Sequence, residues 1–167
     1  MKPTDLVVTK WNARYRGRNL PCSVGRHGIG VKMGEGDGMT PVGEFQLCII
    51  GVRPDRAILS SVIPQQAIGP NDIWSDDVKD PGYNLWQKRG SAGYRHEVLR
   101  RADPLYDAFG VLDFNWPNPV PGAGSAIFLH AWRKPRHPTE GCIAFDPRDL
   151  AWIFASWHNR NRVVVRG

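Results

Sequence analysis

The sequence predicts a mainly β protein, a sandwich of mixed β-sheets with a C-terminal helix and a long irregular insertion. Short apolar runs bounded by glycine and proline recur along the chain, which is typical of strands. The stretch 53–103 is rich in proline and glycine and shows little periodicity, which indicates an insertion. A length of 167 residues fits a single domain covering 1–167. Apolar residues at helical spacing follow near the C-terminus, at Leu150, Ile153, Phe154 and Trp157.

In the first third of the chain, residues 6–8 and 20–24 are apolar runs that predict two strands, and the basic stretch 12–18 between them predicts a polar turn. Five glycines then fall within residues 28–38. No Gly-Lys-Ser/Thr sequence follows them, so we interpret this stretch as a mobile turn and not as a phosphate loop. The apolar run at 45–52 predicts the next strand.

In the last third, the apolar run at 108–112 predicts a buried strand, and a second strand is predicted to end at His130. A third short strand follows at 143–145. Asp146 and Pro147 have the residue types of an N-cap and a first helical position, so a helix is predicted over about 147–158. Three valines at 163–165 predict the closing strand.

Composition and charge narrow the possible partners. Hydrophobic residues make up 41% of the chain, which excludes a disordered protein, and no apolar run approaches the roughly 20 residues of a membrane span. The net charge of +6 favours an anionic partner. Because the arginines are scattered and not grouped on one element, we expect a carboxylate-rich wall polymer and no nucleic acid.

The cysteine count indicates at least one free thiol, because Cys22, Cys48 and Cys142 cannot all pair within one chain. Cys22 and Cys48 lie in apolar runs and are expected to be buried thiols, although a bridge between them stays possible in an oxidising compartment. The N-terminal residues include no apolar stretch of the length of a signal peptide, so we expect a removed leader or another export route.

The candidate catalytic residues are His130 and Cys142. His130 ends one predicted strand and Cys142 begins the next, so a folded-back loop can bring the imidazole and the thiol together. The thiolate is the reactive form of cysteine, and an adjacent imidazole stabilises it or removes its proton during attack. A zinc site made from these two residues and His137 fits known ligand spacings poorly, so no metal and no cofactor are expected.

The sequence around these residues resembles a known family. Thr-Glu-Gly-Cys at 139–142, with His130 upstream and a helix downstream, resembles the catalytic segment of the L,D-transpeptidases, the YkuD-type domain. Thr-Pro-Val-Gly-Glu-Phe at 40–45 resembles another segment of that family. The Pro-Thr-x-Gly-Cys pattern, in place of Ser-His-Gly-Cys, resembles a subgroup. Glu140 stands where most members have histidine, and Ala144 stands where many have arginine.

The resemblance implies a peptidoglycan L,D-transpeptidase that forms a thioester at Cys142 and crosslinks wall stem peptides through 3,3 or, given the altered motif, 1,3 bonds. It also implies acylation by carbapenems and a place in the periplasm or cell envelope. A monomer is expected. Two alternatives stay open: a carboxypeptidase or endopeptidase using the same Cys–His pair, and a non-catalytic basic module that binds wall or nucleic acid.

Substrate contacts are expected around this pair. Backbone N–H groups of Gly141 and Cys142 are expected to stabilise the oxyanion. Aromatic residues of the insertion, at positions 74, 83, 86 and 94, are predicted either to line a groove for glycan or peptide or to pack the insertion onto the sheet. Arg133 is the candidate to replace the family's carboxylate-binding arginine. The other predicted substrate-binding residues are Thr139, Glu140, Trp132, Tyr83, His96 and Arg26.

Overall fold

The structure is a computed structural model that describes residues 2–90 and 93–167, and its secondary structure is mainly β, as predicted. One α-helix, α1 (Pro147–Ala155), and one 3-10 turn (Pro104–Tyr106) accompany the strands. The strands are β1 (Leu6–Val8), β2 (Asn12–Tyr15), β3 (Arg18–Ser23), β4 (Ile29–Gly30), β5 (Thr40–Pro41), β6 (Gly43–Phe45), β7 (Leu47–Val52), β8 (Gln65–Ala67), β9 (Asp72–Ser75), β10 (Trp86–Lys88), β11 (His96–Val98), β12 (Ala108–Leu112), β13 (Phe128–Ala131), β14 (Ile143–Phe145) and β15 (Val163–Val165).

A ten-stranded mixed sheet forms the body of the protein, in the order β6-β15-β1-β2-β3-β14-β13-β12-β7-β8. The pairs β1–β15, β13–β14 and β7–β8 are parallel, and the others are antiparallel. In the described part of the chain, no helix is long and apolar enough to cross a membrane.

The N-terminal hairpin corrects one sequence prediction. Residues 12–15 are strand β2 and not part of a polar turn, and the turn itself is confined to Arg16 and Gly17. Both turn residues have positive φ, 46° and 78°, which suits the tight turn of a twisted hairpin. Ala13 and Tyr15 are buried while Arg14 is exposed. Buried and exposed side chains therefore alternate along this stretch, as in a half-buried strand, although its basic residues hide this period of two in the sequence.

The insertion is less irregular than predicted. It contains β8 and a separate antiparallel sheet in the order β10-β9-β11. These strands have three or four residues, too few for a period of two to stand out in the sequence. Three of the four aromatic residues pack the insertion onto the sheet: Trp74 and Tyr83 are each 1% exposed, and Trp86 stacks on Phe109 of the central sheet at 5.5 Å between ring centres. The fourth, Tyr94, is half-buried and lines a separate cavity.

Alternate residues of the central strands enter two hydrophobic clusters. Leu129 and Ala131 of β13 belong to the cluster that also contains the buried side of α1, whereas Phe128 belongs to a cluster that includes Trp74 of the small sheet. Since neighbouring strand residues point to opposite faces, the clusters lie on opposite sides of β13. His130 shares its face with Phe128.

Helix α1 begins as predicted and ends three residues earlier. The side chain of Asp146 accepts a hydrogen bond from the N–H of Arg148, and Pro147 follows the cap. Leu150, Ile153 and Phe154 are buried, which confirms the predicted apolar face. Trp157 lies beyond the helix and is also buried, where it stacks on Tyr15.

The glycine-rich stretch, predicted as a mobile turn, is held by several side-chain contacts. The carboxylate of Glu35 accepts hydrogen bonds from the hydroxyls of Tyr83 and Ser125. The guanidinium of Arg26 donates to the Gly36 carbonyl at 3.0 Å. Glu35 therefore links the loop to the insertion and to the residues before β13, and Arg26 links it to the residues after β3.

Thr40 links this loop to the residues around Cys142. Its hydroxyl accepts a hydrogen bond from the Gly25 N–H at 2.8 Å and donates to the Gly141 carbonyl at 2.8 Å. The side chain is fully buried. One hydroxyl thus satisfies two backbone groups that lie far apart in the chain.

We expect Thr40→Val to lower the free energy of unfolding by about 2–6 kcal/mol. Valine keeps the side-chain shape but leaves both of these backbone groups unpaired, at about 1–3 kcal/mol each. Urea denaturation measures the loss. Thr9→Val is the matched control, because its hydroxyl donates to the Asn12 carbonyl at an exposed position and its loss costs about 0.5 kcal/mol. Equal losses in the two variants contradict this account of Thr40.

Candidate active site

The parallel pairing of β13 with β14 brings His130 and Cys142 to one face of the sheet. Leu129 lies opposite Ile143 and His130 lies opposite Ala144, so Cys142, one residue before β14, comes level with Phe128. The N–H of Phe128 points at the Cys142 sulfur at 3.4 Å. His130 is 6% exposed and Cys142 is 8% exposed.

Both residues line one cavity of about 280 Å³, which we call the histidine-side cavity. Sequence analysis placed both residues at strand ends, and the register explains how an eleven-residue loop lets them share a space. The cavity walls are formed by Glu97, Arg101, Leu105, Tyr106, His130, Arg133, His137, Pro138, Thr139, Glu140, Cys142 and Ala144.

The imidazole of His130 is arranged as a neutral base. Its Nδ1 lies 2.7 Å from the Ala131 carbonyl oxygen, which only accepts, so Nδ1 carries the proton and Nε2 has a free lone pair. Burial lowers the pKa of His130 from 6.5 to about 4. Tyr106 holds the ring edge-on, with 5.5 Å between ring centres. At neutral pH the site therefore has an unprotonated imidazole.

The Cys142 sulfur is held as a thiol. It donates a hydrogen bond to the Ala126 carbonyl at 2.9 Å. Burial, together with the negative charge of Glu97, raises the pKa of Cys142 from 9.0 to about 12. The resting state is consequently a neutral thiol and a neutral imidazole, not a thiolate and an imidazolium. Attack by sulfur then needs proton removal at the same step.

The backbone at Ala126 and Asn84 positions that carbonyl. Ala126 has φ of 53°, a left-handed conformation that is uncommon for a residue other than glycine. The buried Asn84 side chain supports it, because Oδ1 accepts hydrogen bonds from the Ala126 N–H and from Nε1 of Trp74, each at 2.9 Å. The asparagine therefore sets the direction of the carbonyl that holds the thiol.

The turn before Cys142 requires glycine and leaves one backbone donor available. Gly141 has φ of 142°, and a side chain there would meet the Met39 carbonyl oxygen at 2.9 Å. The Gly141 N–H donates to Thr139 Oγ1 at 3.1 Å, while that hydroxyl donates to the Cys142 carbonyl. Across residues 2–90 and 93–167, no acceptor pairs with the Cys142 N–H. Of the two expected oxyanion donors, this one is unengaged.

A second cavity of about 270 Å³ also reaches Cys142, and we call it the lysine-side cavity. Glu97, Glu140 and Cys142 line both cavities, so the thiol lies at their junction. Burial raises the pKa of the Glu97 carboxyl, which accepts a hydrogen bond from Tyr106. The walls of the lysine-side cavity are formed by Lys32, Glu35, Gly36, Asp76, Arg95, Glu97, Ser125, Ala126, Ile127, Glu140, Gly141 and Cys142.

The predicted substrate residues divide by position. Arg133 and Thr139 line the histidine-side cavity, and Glu140 lines both cavities. Arg133 is exposed and, among the residues that the structure describes, forms no ion pair. Arg26 reaches the site through an ion pair with Glu140.

The remaining three lie outside the cavity walls. Trp132 is half-buried, directly after β13. Tyr83 is buried, with its hydroxyl on Glu35 and on the Gly124 N–H. His96 lies on β11, where Nε2 is 3.3 Å from Nη2 of Arg89, beside a separate cavity. The structure thus does not bring Tyr83 or His96 to the thiol.

Sequence reasoning missed several residues that line the two cavities. Glu97 lies in the insertion, and nothing in the sequence around it indicated a place in the cavities beside Cys142. Lys32 and Glu35 lie in the glycine-rich stretch 28–38, where the alternation of positive and negative residues was the one sequence feature that could have indicated a functional role. Arg101 lies at the end of the insertion and Tyr106 lies just after it, and only the tertiary fold brings them to His130.

The structure is a mainly β chain in which a buried thiol and a neutral imidazole line one cavity. Comparison with protein families identifies it further. The family described as YkuD, the L,D-transpeptidase catalytic domain, matches residues 3–165, and the chain belongs to that family. No curated protein and no solved structure matches the chain.

The buried imidazole predicts a specific pH dependence of stability. Because the pKa of His130 is lower in the folded state than its usual 6.5, the unfolded chain takes up the proton first as pH falls. The contribution of the neutral imidazole to the free energy of unfolding is fully present above pH 6.5 and is lost as the pH falls towards 4. Relative to His130→Gln, the free energy of unfolding should fall by about 3 kcal/mol over that range.

Urea denaturation of both proteins between pH 4 and pH 7 measures this difference. The glutamine variant is the control for all other groups that titrate in the same range. Parallel pH profiles for the two proteins contradict a neutral, buried imidazole.

Proposed function

We propose that this protein is a peptidoglycan L,D-transpeptidase in which Cys142 is the nucleophile and His130 is the general base. The observation that carries the proposal is the common cavity of a protonated thiol and an imidazole whose Nε2 is free. Family membership supports the substrate class, the stem peptides of the bacterial wall. That substrate supports a location in the periplasm or cell envelope.

The reaction begins when the Cys142 sulfur leaves the Ala126 carbonyl and attacks an amide carbonyl of the donor peptide. Nε2 of His130 takes the thiol proton, and the Cys142 N–H donates to the developing oxyanion. Collapse of the tetrahedral intermediate breaks the C–N bond, and His130 passes the proton to the departing amine. A thioester to Cys142 remains.

The second half of the reaction transfers the acyl group. An acceptor amine attacks the thioester, His130 accepts its proton, and collapse returns that proton to the sulfur as the new amide forms. Two cavities that meet at Cys142 support two substrates, with donor and acceptor on opposite sides of the sulfur. If water takes the place of the amine, the same residues act as a carboxypeptidase or endopeptidase.

The position of the donor carbonyl in the stem peptide distinguishes 3,3 from 1,3 crosslinks. Ala144 lies opposite His130 and is fully buried, so a family arginine at that position is replaced by a methyl group. Arg133 offers a cation at the rim of the same cavity. We infer that donor carboxylates are bound there, and this change of position allows a 1,3 donor as well as a 3,3 donor. Carbapenems acylate Cys142 by the same chemistry.

Incubation of the protein with purified wall stem peptides, followed by mass spectrometry, tests the activity. Crosslinked dimers are expected with the wild-type protein and none with Cys142→Ala, which removes the nucleophile. Cys48→Ala is the matched control, because its half-buried thiol bonds to the Gln46 carbonyl, and it should retain full activity. Trimmed monomers alone support the hydrolase, and unchanged peptides support a binding module. Crosslinking by Cys142→Ala overturns the proposal.

The proposed role of Arg133 predicts a kinetic effect. Arg133→Ala should lower kcat/KM for stem peptides by about one to two orders of magnitude, as the loss of a charged hydrogen bond of about 1.5–3 kcal/mol implies. Arg133→Lys should recover part of the activity, because an ammonium cannot form the two parallel hydrogen bonds of a guanidinium.

Steady-state kinetics on one purified stem peptide measure the effect. The adjacent exposed residue gives the control Lys134→Ala, which removes one positive charge from the same loop and should stay within about twofold of the wild type. Equal kinetics for Arg133→Ala and Lys134→Ala exclude a carboxylate contact at Arg133.

A further inference from the structure

Lys32 is a buried cation beside the nucleophile that the proposed mechanism does not use. It lies between β4 and β5, and its side chain is only 4% exposed. It lines the lysine-side cavity together with Gly141 and Cys142. A Cβ placed on Gly141 would be 3.6 Å from the Lys32 ammonium nitrogen. The ammonium therefore faces the residue that immediately precedes the nucleophile.

Asp37 holds this ammonium in place. Its Oδ1 lies 2.6 Å from Lys32 Nζ, and its two oxygens also accept the N–H groups of Met33 and Met39 at 2.7 and 3.0 Å. Burial would raise the pKa of Asp37, but Lys32 and these N–H groups hold it at about 2. The carboxylate thus fixes both the glycine-rich loop and the position of the cation.

The ammonium has hydrogen-bonding capacity left over. A lysine ammonium has three N–H donors, and one of them bonds to Asp37. The Met39 carbonyl oxygen lies 3.5 Å from Nζ, at the limit of a hydrogen bond. Within the described residues the third donor has no acceptor, and the lysine-side cavity lies beside it.

Three other cations line the two cavities, and Arg133 lies in the histidine-side cavity, where it is exposed and is assigned to the donor carboxylate. Arg101 donates two hydrogen bonds to Asp103, and Arg95 is paired with Asp76.

His130 is neutral at rest, and the Gly141 N–H is bound to Thr139. Without Lys32, an oxyanion formed beside the thiol would accept a hydrogen bond from the Cys142 N–H alone. That oxyanion would also lie close to the carboxylate of Glu97. An added positive charge is what such a site needs.

We propose that Lys32 is a catalytic residue whose ammonium donates a hydrogen bond to the oxyanion of the tetrahedral intermediates formed at Cys142. The role rests on the proposed acyl transfer. In each half of the reaction the carbonyl oxygen becomes negative as the C–S or C–N bond forms, and it returns to a carbonyl as the other bond breaks. Lys32 keeps its protons throughout, and the Cys142 N–H is the second donor.

Two reactions of Cys142 distinguish stabilisation of an oxyanion by Lys32 from a general effect of Lys32 on the reactivity of the thiol. Acylation by 4-nitrophenyl acetate passes through an oxyanion and releases nitrophenolate, whereas alkylation by iodoacetamide displaces iodide and forms no oxyanion. Lys32→Met should slow acylation by about 10²-fold or more and alkylation by less than about threefold. Lys32→Arg should recover much of the acylation rate, because it restores a cation. Exposed Lys79 gives the control Lys79→Met, with both rates unchanged.

The double variant Lys32→Met/Asp37→Asn removes the risk that an unpaired buried carboxylate distorts the loop, and it should show the same selective loss of acylation. Thermal melting confirms folding of each variant. An equal fall in both reactions, or no fall in acylation, overturns the assignment of Lys32. A wild-type protein that is alkylated but not acylated contradicts the proposed acyl transfer itself, and the role of Lys32 with it.

Discussion

The parallel pairing of β13 with β14 is the constraint on which the site depends. In this register, His130 and Cys142 both face the cluster that contains Phe128. A slip of one residue would turn every side chain of β14 and the preceding cysteine to the opposite face. The alternation of apolar residues on the two faces of β13 prevents that slip. The packing of the core therefore also fixes the positions of His130 and Cys142 relative to each other.

Burial sets the electrostatics of the same residues. The imidazole and the thiol are both neutral at rest because each would lose hydration if charged. A charge-separated pair would need compensation from its surroundings, and the negative charge of Glu97, which lines both cavities, opposes a thiolate. The site is therefore suited to a concerted proton transfer, in which charge develops on the substrate oxygen and meets donors already in place.

Much of this could be predicted from the sequence where the signal is local. His130, Gly141 and Cys142 became candidates because strand ends, a glycine and the family motif lie within a few residues of one another, and α1 was predicted from its period. The small sheet was not predicted because its strands have three or four residues, which is no more than two periods of the strand repeat. Tyr83 was expected to line a groove, but an aromatic ring is equally suited to a binding surface and to a core. Only the fold shows that Tyr83 is buried. The approach of Lys32 to Gly141, more than 100 residues away, has no local signal.

The hydrogen bond from the Cys142 thiol to the Ala126 carbonyl also affects the chemical durability of the site. Peroxides and disulfides react with thiolates at accessible positions, and Cys142 is neither ionised nor exposed in the resting state. Asn84, by aiming that carbonyl, therefore protects the sulfur from oxidation to sulfenic acid as well as positioning it. A thiol held in this way therefore stays reduced for longer than an exposed and ionised thiol would.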